Sequence, residues 1–386
     1  MLFRSLLAEL AELHTRFGQN VLADEAGWQL TLADEAALAG LPDFVRSAAR
    51  QAALERGLPQ DAHVVTLNRS LIEPFLTFSE RRDLRERAWR AWVARGTQAG
   101  PTDNRELMRR ILRLRQQQAR AHGFASYADF ALADTMAGTP AAAHELLTQV
   151  WQRALPAAER ERQALIEQMR ACGVDGEPAA WDWRYWSNQV RSQRYAIAES
   201  ETKPYLVLDR MVEAMFDCAQ RLFGVRFVRR PDLAGYHPDV LVWEMFDRRG
   251  ESAGLFLQDN FARQTKRSGA WMSALRWQSR NGGRQLPVIL NNNNFARGEP
   301  GQPTLLSFDD ARTLFHEFGH GLHGLLSDVD YVRLSGTQVL PDFVELPSQL
   351  FEHWLEEPEV LRRHARHWQT QEPIPQALVE RLQAAS

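Results

Sequence analysis

A short motif of histidine and glutamate is the part of this sequence best suited to do chemistry. It reads His-Glu-Phe-Gly-His and runs from His316 to His320. On a helix, residues four apart lie on one face about one turn apart, so both imidazoles can reach a single zinc ion. Glu317 lies about 100° away around the axis, where its carboxylate can act on a water molecule without binding the metal. The motif therefore predicts one zinc ion on His316 and His320, with Glu317 as the catalytic residue.

The residues around the motif predict the helix that this spacing requires. Ser307 followed by Asp310 is a capping-box signature for a helix N-terminus. When the side chains are projected at about 100° per residue, an apolar set lies opposite the histidines: Leu314, Phe315, Phe318, Leu322, Leu325 and Leu326. We therefore expect a helix with an apolar back packed in the core and a front that carries the ligands.

The motif is short, and it also occurs in helices whose histidines are only exposed or hydrogen-bonded in a core. Two other interpretations therefore stay open. One is a zinc-binding or peptide-binding protein without catalytic activity, and the other is a helical scaffold in which the motif is incidental. Metal content and turnover separate the three.

A hydrolytic zinc site needs three protein ligands and one open position, so the sequence must supply another ligand. The metzincin pattern would place glycine at position 323 and histidine at position 326, whereas this chain has His323 and Leu326. His323 lies on the ligand face, but three histidines on one straight helix span about 10 Å, too far for one tetrahedral ion. We interpret His323 as a cleft residue or as a support for a ligand.

A carboxylate beyond the helix is the remaining source of the third ligand. The candidates are Asp328, Asp330, Asp342, Glu345 and Glu352. Glu345 is favoured because apolar neighbours on both sides predict a buried carboxylate, which needs a partner or a metal. The alternative is that Asp342 and Glu345 cap a helix, although Pro347 argues against a helix running straight through. Glu352, one heptad later, is predicted to orient a histidine.

Composition restricts the class of protein. The chain has 386 residues, 44% hydrophobic and 25% charged, with a net charge of −3, which gives no support for nucleic-acid binding. It has no apolar run of about 18 residues, so we expect no membrane span. Two cysteines suit a reducing compartment, and the N-terminus lacks a signal-peptide pattern. We therefore expect a cytoplasmic protein.

The pattern along the chain predicts two regions. Residues 1–172 are predicted to form an α-helical lobe, and residues 173–386 a zinc-binding catalytic region. In the second region, apolar runs on both sides of a turn at residues 247–250 predict a β-hairpin, and residues 286–290 predict a further strand. A strand beside the zinc helix could hold a peptide backbone by β-addition. The alternative is a small sheet that only packs under the helix.

The stretch from His316 to Trp354 resembles the thimet oligopeptidase family of zinc metallopeptidases, especially its bacterial peptidyl-dipeptidase and oligopeptidase A branch. The most specific part is Ser-Gly-Thr at residues 335–337 followed by Asp-Phe-Val-Glu at residues 342–345. Further support comes from Lys-Arg-Ser-Gly-Ala-Trp-Met and Leu-Pro-Val-Ile-Leu-Asn-Asn-Asn-Asn-Phe. The resemblance covers nearly the whole chain.

This resemblance implies a fold, a site and a substrate class. His316, His320 and Glu345 match the family's zinc ligands, and Glu317 matches its catalytic acid and base. The implied fold is mainly α-helical, with two lobes around a deep channel and a small β-sheet next to the zinc helix. The implied activity is hydrolysis of short, unstructured peptides, with neither nucleic acid nor membrane as a partner.

Family members are longer at both ends, so the resemblance implies a chain truncated at both ends. In the family, a later segment rich in glycine and tyrosine supplies groups that stabilise the oxyanion, and losing one such donor can cost about 10²–10³ in rate. The alternative function is therefore a truncated, catalytically impaired zinc- or peptide-binding remnant of that family.

Overall fold

The computed structural model describes residues 2–195, 199–263, 265–298 and 301–385. The fold is mainly α-helical with small β-sheets, as predicted. The chain divides into two compact units, Met1–Val190 and Arg191–Ser386. The sequence places the boundary after residue 172, where a helix ends and an irregular segment follows, whereas the division between the compact units falls within the next helix, Trp183–Tyr195.

The first unit consists of helices and a two-stranded antiparallel sheet. Its elements are α1 Leu2–Gly27, β1 Leu30–Leu32, α2 Asp43–Glu55, β2 His63–Val65, α3 Arg69–Phe78, α4 Arg82–Val93, α5 Arg105–Ala121, α6 Tyr127–Leu132, α7 Pro140–Ala171 and α8 Trp183–Tyr195. Strands β1 and β2 pair with Leu30 opposite Val65. The largest core of this unit joins them to α2, α3 and α4 around Ile72 and Phe75, which are fully buried.

The second unit places helices beside a five-stranded sheet. Its elements are α9 Glu199–Thr202, α10 Leu208–Phe223, β3 Arg226–Arg229, β4 Leu241–Phe246, β5 Ser252–Phe261, β6 Trp271–Arg276, β7 Val288–Phe295, α11 Phe308–Leu325, α12 Leu346–Glu356, α13 Pro358–His364 and α14 Gln376–Ala385. Among the described residues, no helix has both the length and the apolar character needed to cross a membrane.

The sheet has the strand order β3-β4-β5-β7-β6. The predicted hairpin is confirmed, because β4 and β5 pair antiparallel with Trp243 opposite Phe256. Strand β7 runs parallel to β5, and β6 pairs antiparallel with β7, so β6 is an edge strand. The strand predicted at residues 286–290 exists as β7, but it continues through four asparagines to Phe295.

One face of this sheet packs against α10 and α11. Phe256 of β5 and Phe318 of α11 are fully buried, with ring centroids 5.3 Å apart in an edge-to-face contact. Gly324 permits the close approach of α11, because a Cβ there would lie 2.8 Å from Ile289 Cδ1 and 3.6 Å from Met272 Cε. The helix that carries the histidine motif therefore lies directly on β7 and beside the edge strand β6.

Candidate metal centre

Helix α11 begins with the predicted capping box. The backbone N–H of Asp310 donates to Ser307 Oγ (3.0 Å), and the backbone N–H of Ser307 donates to Asp310 Oδ2 (3.1 Å). These two bonds satisfy donors that a helix N-terminus leaves without partners. Of the predicted apolar back, five residues are buried: Leu314, Phe315, Phe318, Leu322 and Leu325.

The prediction was wrong for Leu326, which is 37% exposed. This residue is the C-cap of α11, so it lies after the last helical turn, where a projection at constant angle no longer applies. Its side chain lines a cavity beside the helix instead of packing in the core.

Three side chains converge at the front of α11. Glu345 Oε2 lies 3.2 Å from His316 Nε2 and 3.1 Å from His320 Nε2. One potential ligand atom from each residue lies within 4.8 Å of the other two. Two imidazole nitrogens and a carboxylate oxygen are the donor types that zinc takes in hydrolytic sites. The structure thus brings together His316, His320 and Glu345, the three residues that the sequence favoured as ligands.

Glu345 reaches this position because it lies immediately before α12. The helix starts at Leu346, and Pro347 lies in its first turn, where a missing N–H breaks no hydrogen bond. The Ser348 hydroxyl donates to the Glu345 backbone oxygen (2.8 Å) and lies 3.1 Å from Glu345 Oε2. Ser348 was not predicted from the sequence; a serine three residues after a carboxylate at a helix start was the available signal.

Glu345 is not buried, contrary to the prediction. Its side chain is 53% exposed, and the flanking Phe343 and Leu346 are exposed as well. Apolar neighbours in sequence did not imply burial, because these residues form a turn and a helix start at the surface. Although exposed, this carboxylate lies within 3.2 Å of a ring nitrogen of each of the two histidines.

Glu352 contacts the other side of one imidazole. Its Oε1 atom lies 2.6 Å from His316 Nδ1, which leaves His316 Nε2 facing Glu345. Carboxylates in this arrangement fix the tautomer and the orientation of a metal-binding histidine. The remaining acidic candidates lie elsewhere: Asp328 and Asp330 pair with Arg280, and Asp342 is exposed outside the group.

Glu317 differs from the exposed Glu345 because it is 5% exposed. Its Oε2 atom has no hydrogen-bond partner among the residues that the structure describes. Burial raises the pKa of Glu317 to about 7; the nearby His316 opposes this shift and the nearby Glu345 adds to it. A buried carboxyl group with an oxygen that the described residues leave unpaired fits a group that exchanges a proton with a reactant at this centre.

His320 and His323 both favour the neutral form, but only His320 belongs to the group of converging ligands. Burial lowers the pKa of His320 and also that of His323, which favours the neutral ring in both cases. A neutral imidazole is the form that binds a metal. His323 does not join His316, His320 and Glu345, and it lines the cavity that Leu326 also lines.

The two imidazole nitrogens and the carboxylate oxygen that converge, together with the unpaired oxygen of Glu317, fit a zinc ion with an open coordination position.

Gly319 lets α11, which carries the two histidines, pack closely against α12, which begins directly after Glu345. A Cβ at Gly319 would lie 2.7 Å from Ser348 Cα and 3.1 Å from the Pro347 oxygen, so backbone would have to move. We expect Gly319→Ala to displace the start of α12, and with it Glu345, and to weaken zinc binding by about 10–100-fold, as perturbing the surroundings of metal ligands does. Competition with a zinc-binding dye measures this affinity.

Gly18→Ala is the matched control, because Gly18 lies inside α1 and a Cβ there would meet nothing within 4 Å. Its zinc affinity should equal that of the unmodified chain. An unchanged affinity in Gly319→Ala, with helix content preserved, would show that the contact between α11 and α12 does not position Glu345.

This chain is similar to known proteins over most of its length. Residues 75–386 match the model of Peptidase family M3. The "Dipeptidyl carboxypeptidase" of Salmonella typhimurium is 40% identical over 389 residues, covering 99% of this chain and 56% of that protein. The "Oligopeptidase A" of Escherichia coli is 36% identical over 395 residues, covering 99% of this chain and 57% of that protein.

The chain spans little more than half the length of these curated relatives. The family match nevertheless includes both elements that form the centre, α11 with its two histidines and the segment that carries Glu345. On the extent of that match, the chain belongs to peptidase family M3.

Proposed function

We propose that the protein is a zinc-dependent peptidase that hydrolyses short peptides. The observation that carries this proposal is the convergence of His316, His320 and Glu345, with one potential ligand atom from each within 4.8 Å of the others, next to the buried carboxyl group of Glu317. Structural zinc sites take four protein ligands, whereas catalytic sites take three and keep a position open. Three ligands beside a buried proton acceptor therefore favour catalysis over a structural role.

The residues have distinct tasks in this mechanism. Zinc held by His316, His320 and Glu345 would supply Lewis acidity, which polarises a carbonyl and makes water more acidic. Glu317 takes the proton from the attacking water and delivers it to the leaving amine, so one carboxylate acts as base and then as acid. Glu352 keeps His316 in the orientation that faces the centre, through the 2.6 Å contact to Nδ1.

The edge strand β6 supports a peptide as the substrate. Among the strands that the structure describes, it pairs with β7 alone, and Gly324 of α11 lies close to Met272 within it. An extended peptide can hydrogen-bond to such an edge and extend the sheet. The relatives named dipeptidyl carboxypeptidase and oligopeptidase A support short peptides as the class of substrate. Neither nucleic acid nor membrane is proposed as a partner.

We also propose a cytoplasmic location. Cys172 and Cys218 are both free thiols, which suits a reducing compartment. A relative from Arabidopsis thaliana that is 30% identical over 400 residues is named probable cytosolic oligopeptidase A. Cell fractionation with an antibody to the chain tests this; recovery with secreted or membrane fractions would contradict it.

Metal analysis combined with a turnover assay tests the proposed function. We expect one zinc ion per chain, cleavage of an internally quenched peptide, and loss of cleavage on treatment with a zinc chelator. His316→Ala should lose both zinc and turnover, since it removes one of three ligands. Glu359→Gln, a change to an exposed residue of α13 that pairs with Arg221, is the control and should retain both.

Each alternative gives a different result in that experiment. Stoichiometric zinc without any cleavage would indicate a non-catalytic, zinc-binding member of the family. A chain without zinc, unchanged by His316→Ala, would indicate a helical scaffold. Cleavage that resists the chelator would exclude zinc-dependent hydrolysis.

A further inference from the structure

A cavity of about 420 Å³ lies beside α11 on the side that faces α12. Its lining includes Leu322, His323 and Leu326 from α11 and its end, together with Val339 and Pro347. Sites for small molecules and side chains commonly have volumes of about 300–1,000 Å³. The cavity is therefore large enough to hold an aromatic or a large aliphatic side chain.

The lining is mostly apolar. Two of its polar residues have hydrogen-bond or ion-pair partners, and one has a ring nitrogen that is unpaired within the described part of the chain. Ser327 Oγ accepts hydrogen bonds from the Ser335 hydroxyl and from the Gly336 backbone, and Asp328 pairs with Arg280. His323 Nδ1 is buried and has no partner among the residues that the structure describes. A site that is chiefly apolar and has a few polar groups in its wall is typical of pockets that bind an apolar group in a fixed orientation.

The apolar groups around the cavity are not sealed from solvent. Leu326 and Phe223 are partly exposed, and Leu334 is 61% exposed. Contiguous apolar patches at a protein surface mark ligand-binding grooves and other interaction sites. Because the cavity is open and apolar, it suits an occupant that arrives from solution with an apolar side chain.

Residues that line the cavity are close neighbours in the chain of the residues at the candidate metal centre: Gly319 precedes His320, and Pro347 follows Glu345 by two positions. His323 follows His320 by three residues on the same helix, a rise of about 4.5 Å. Pro347 also contacts α11 at Gly319. Consecutive Cα atoms of a peptide are about 3.8 Å apart, so residues one or two positions from a bond at the centre lie about 4–7 Å from it along an extended peptide.

We propose that this cavity is a specificity pocket for a large apolar side chain of the peptide substrate. The inference rests on the proposed peptidase function, because that function brings a peptide to the neighbouring centre. The pocket accepts the side chain of phenylalanine or leucine. Alanine contributes little binding free energy there, because its methyl group leaves most of the apolar wall in contact with water.

Filling the pocket tests the proposal directly. The substrates are a series of internally quenched peptides. Each position near the cleaved bond is varied in turn and carries alanine, leucine or phenylalanine. At one of these positions, kcat/KM for the phenylalanine peptide should exceed that for the alanine peptide by at least about 10-fold. In Val339→Trp this ratio should fall to about one, because the indole occupies the space. Val339→Ala should keep the ratio or increase it.

The matched control is Val93→Trp, the same substitution at an exposed position at the end of α4. It should keep the preference of the unmodified chain. Equal rates for all peptides in the unmodified chain would overturn the proposal. A preference that survives in a folded Val339→Trp variant would overturn it as well.

A binding measurement separates failure of the pocket from failure of the peptidase function. N-acetyl-phenylalaninamide and N-acetyl-alaninamide serve as probes, and saturation-transfer NMR detects their binding. If the chain cleaves no peptide, the proposed function fails, but the phenylalanine probe should still bind the unmodified chain and Val339→Ala and not Val339→Trp. Absence of binding, or equal binding to all three, would refute the pocket in that case.

Discussion

Replacing Glu317 with glutamine is expected to lower kcat for peptide hydrolysis by about 10²–10⁴-fold, the range found for a positioned general acid or base. The reason is chemical, because an amide of the same shape cannot accept the proton of the attacking water. Zinc content should stay at one ion per chain, since Glu317 is not among the three converging ligands. Turnover of a quenched peptide and metal analysis on the same preparation measure the two quantities.

Glu345→Gln is the informative comparison, because it alters a carboxylate of the same centre in a different role. It should lose zinc and turnover together, whereas Glu317→Gln should lose turnover alone. If the Glu317→Gln variant turns over substrate within a few-fold of the unmodified chain, Glu317 is not the general acid and base. Loss of zinc in Glu317→Gln would assign it to the ligands.

The helix that carries the histidines was accessible from sequence because its signals are local. A capping box, an apolar back and two histidines four residues apart all lie within about five turns of one helix. The structure confirms the capping box and the burial of Phe318, which packs on the sheet. What the local pattern missed was Leu326, where the helix ends and its periodicity no longer predicts the direction of the side chain.

The position of Glu345 could be chosen from sequence, but not for the right reason. The choice assumed burial, and the structure shows a half-exposed carboxylate before α12 that contacts both histidines. Its approach depends on Gly319, which lets two helices pack closely, and on Ser348, which bonds to it. The contact at Gly319 joins segments more than 20 residues apart and has no signature in a local window, whereas Ser348 lies only three residues after Glu345.

Polar residues at the centre of the sheet explain why the length of β7 was underestimated. Gln258 and Asn260 of β5, with Asn291 and Asn293 of β7, are almost fully buried. Asparagine is rare in strands, so a local pattern ends the strand before the asparagines. Tertiary partners offset that preference: Trp243 Nε1 donates to Gln258, and Asn293 donates to Asn260. These partners come from neighbouring strands and are visible only once the sheet is assembled.

Removing the charge of Asp259 should destabilise the second unit by about 3–5 kcal/mol, the cost of breaking a buried ion pair. The side chain is fully buried and contacts two cations, Arg263 at 2.6 Å and Lys266 at 3.0 Å. Tyr236 also donates to it. Asp259→Asn would leave Lys266, itself buried, without its carboxylate partner. Urea unfolding monitored by hydrogen exchange of β5 and β7 amides measures this change.

Asp232→Asn is the matched control, because the two aspartates differ mainly in burial. Burial alone would raise the pKa of Asp259, but hydrogen bonds from Arg263, Tyr236 and Lys266 outweigh it and lower that pKa to about 2. The hydrogen bond from Arg230 likewise lowers the pKa of Asp232 to about 2. The Asp232 side chain is 59% exposed, and exposed ion pairs add little to stability, so this variant should unfold like the original chain.

The pH dependence gives the sign of the Asp259 contribution. Because its folded pKa of about 2 lies below the value of about 3.9 for an unfolded aspartate, its stabilisation is complete above about pH 4. It declines as the pH falls from about 4 through about 2, where the folded protein also takes up the proton. The difference in unfolding free energy between the original chain and Asp259→Asn should therefore narrow over this interval. A difference that stayed constant down to pH 2 would mean that the charge of Asp259 does not stabilise the sheet.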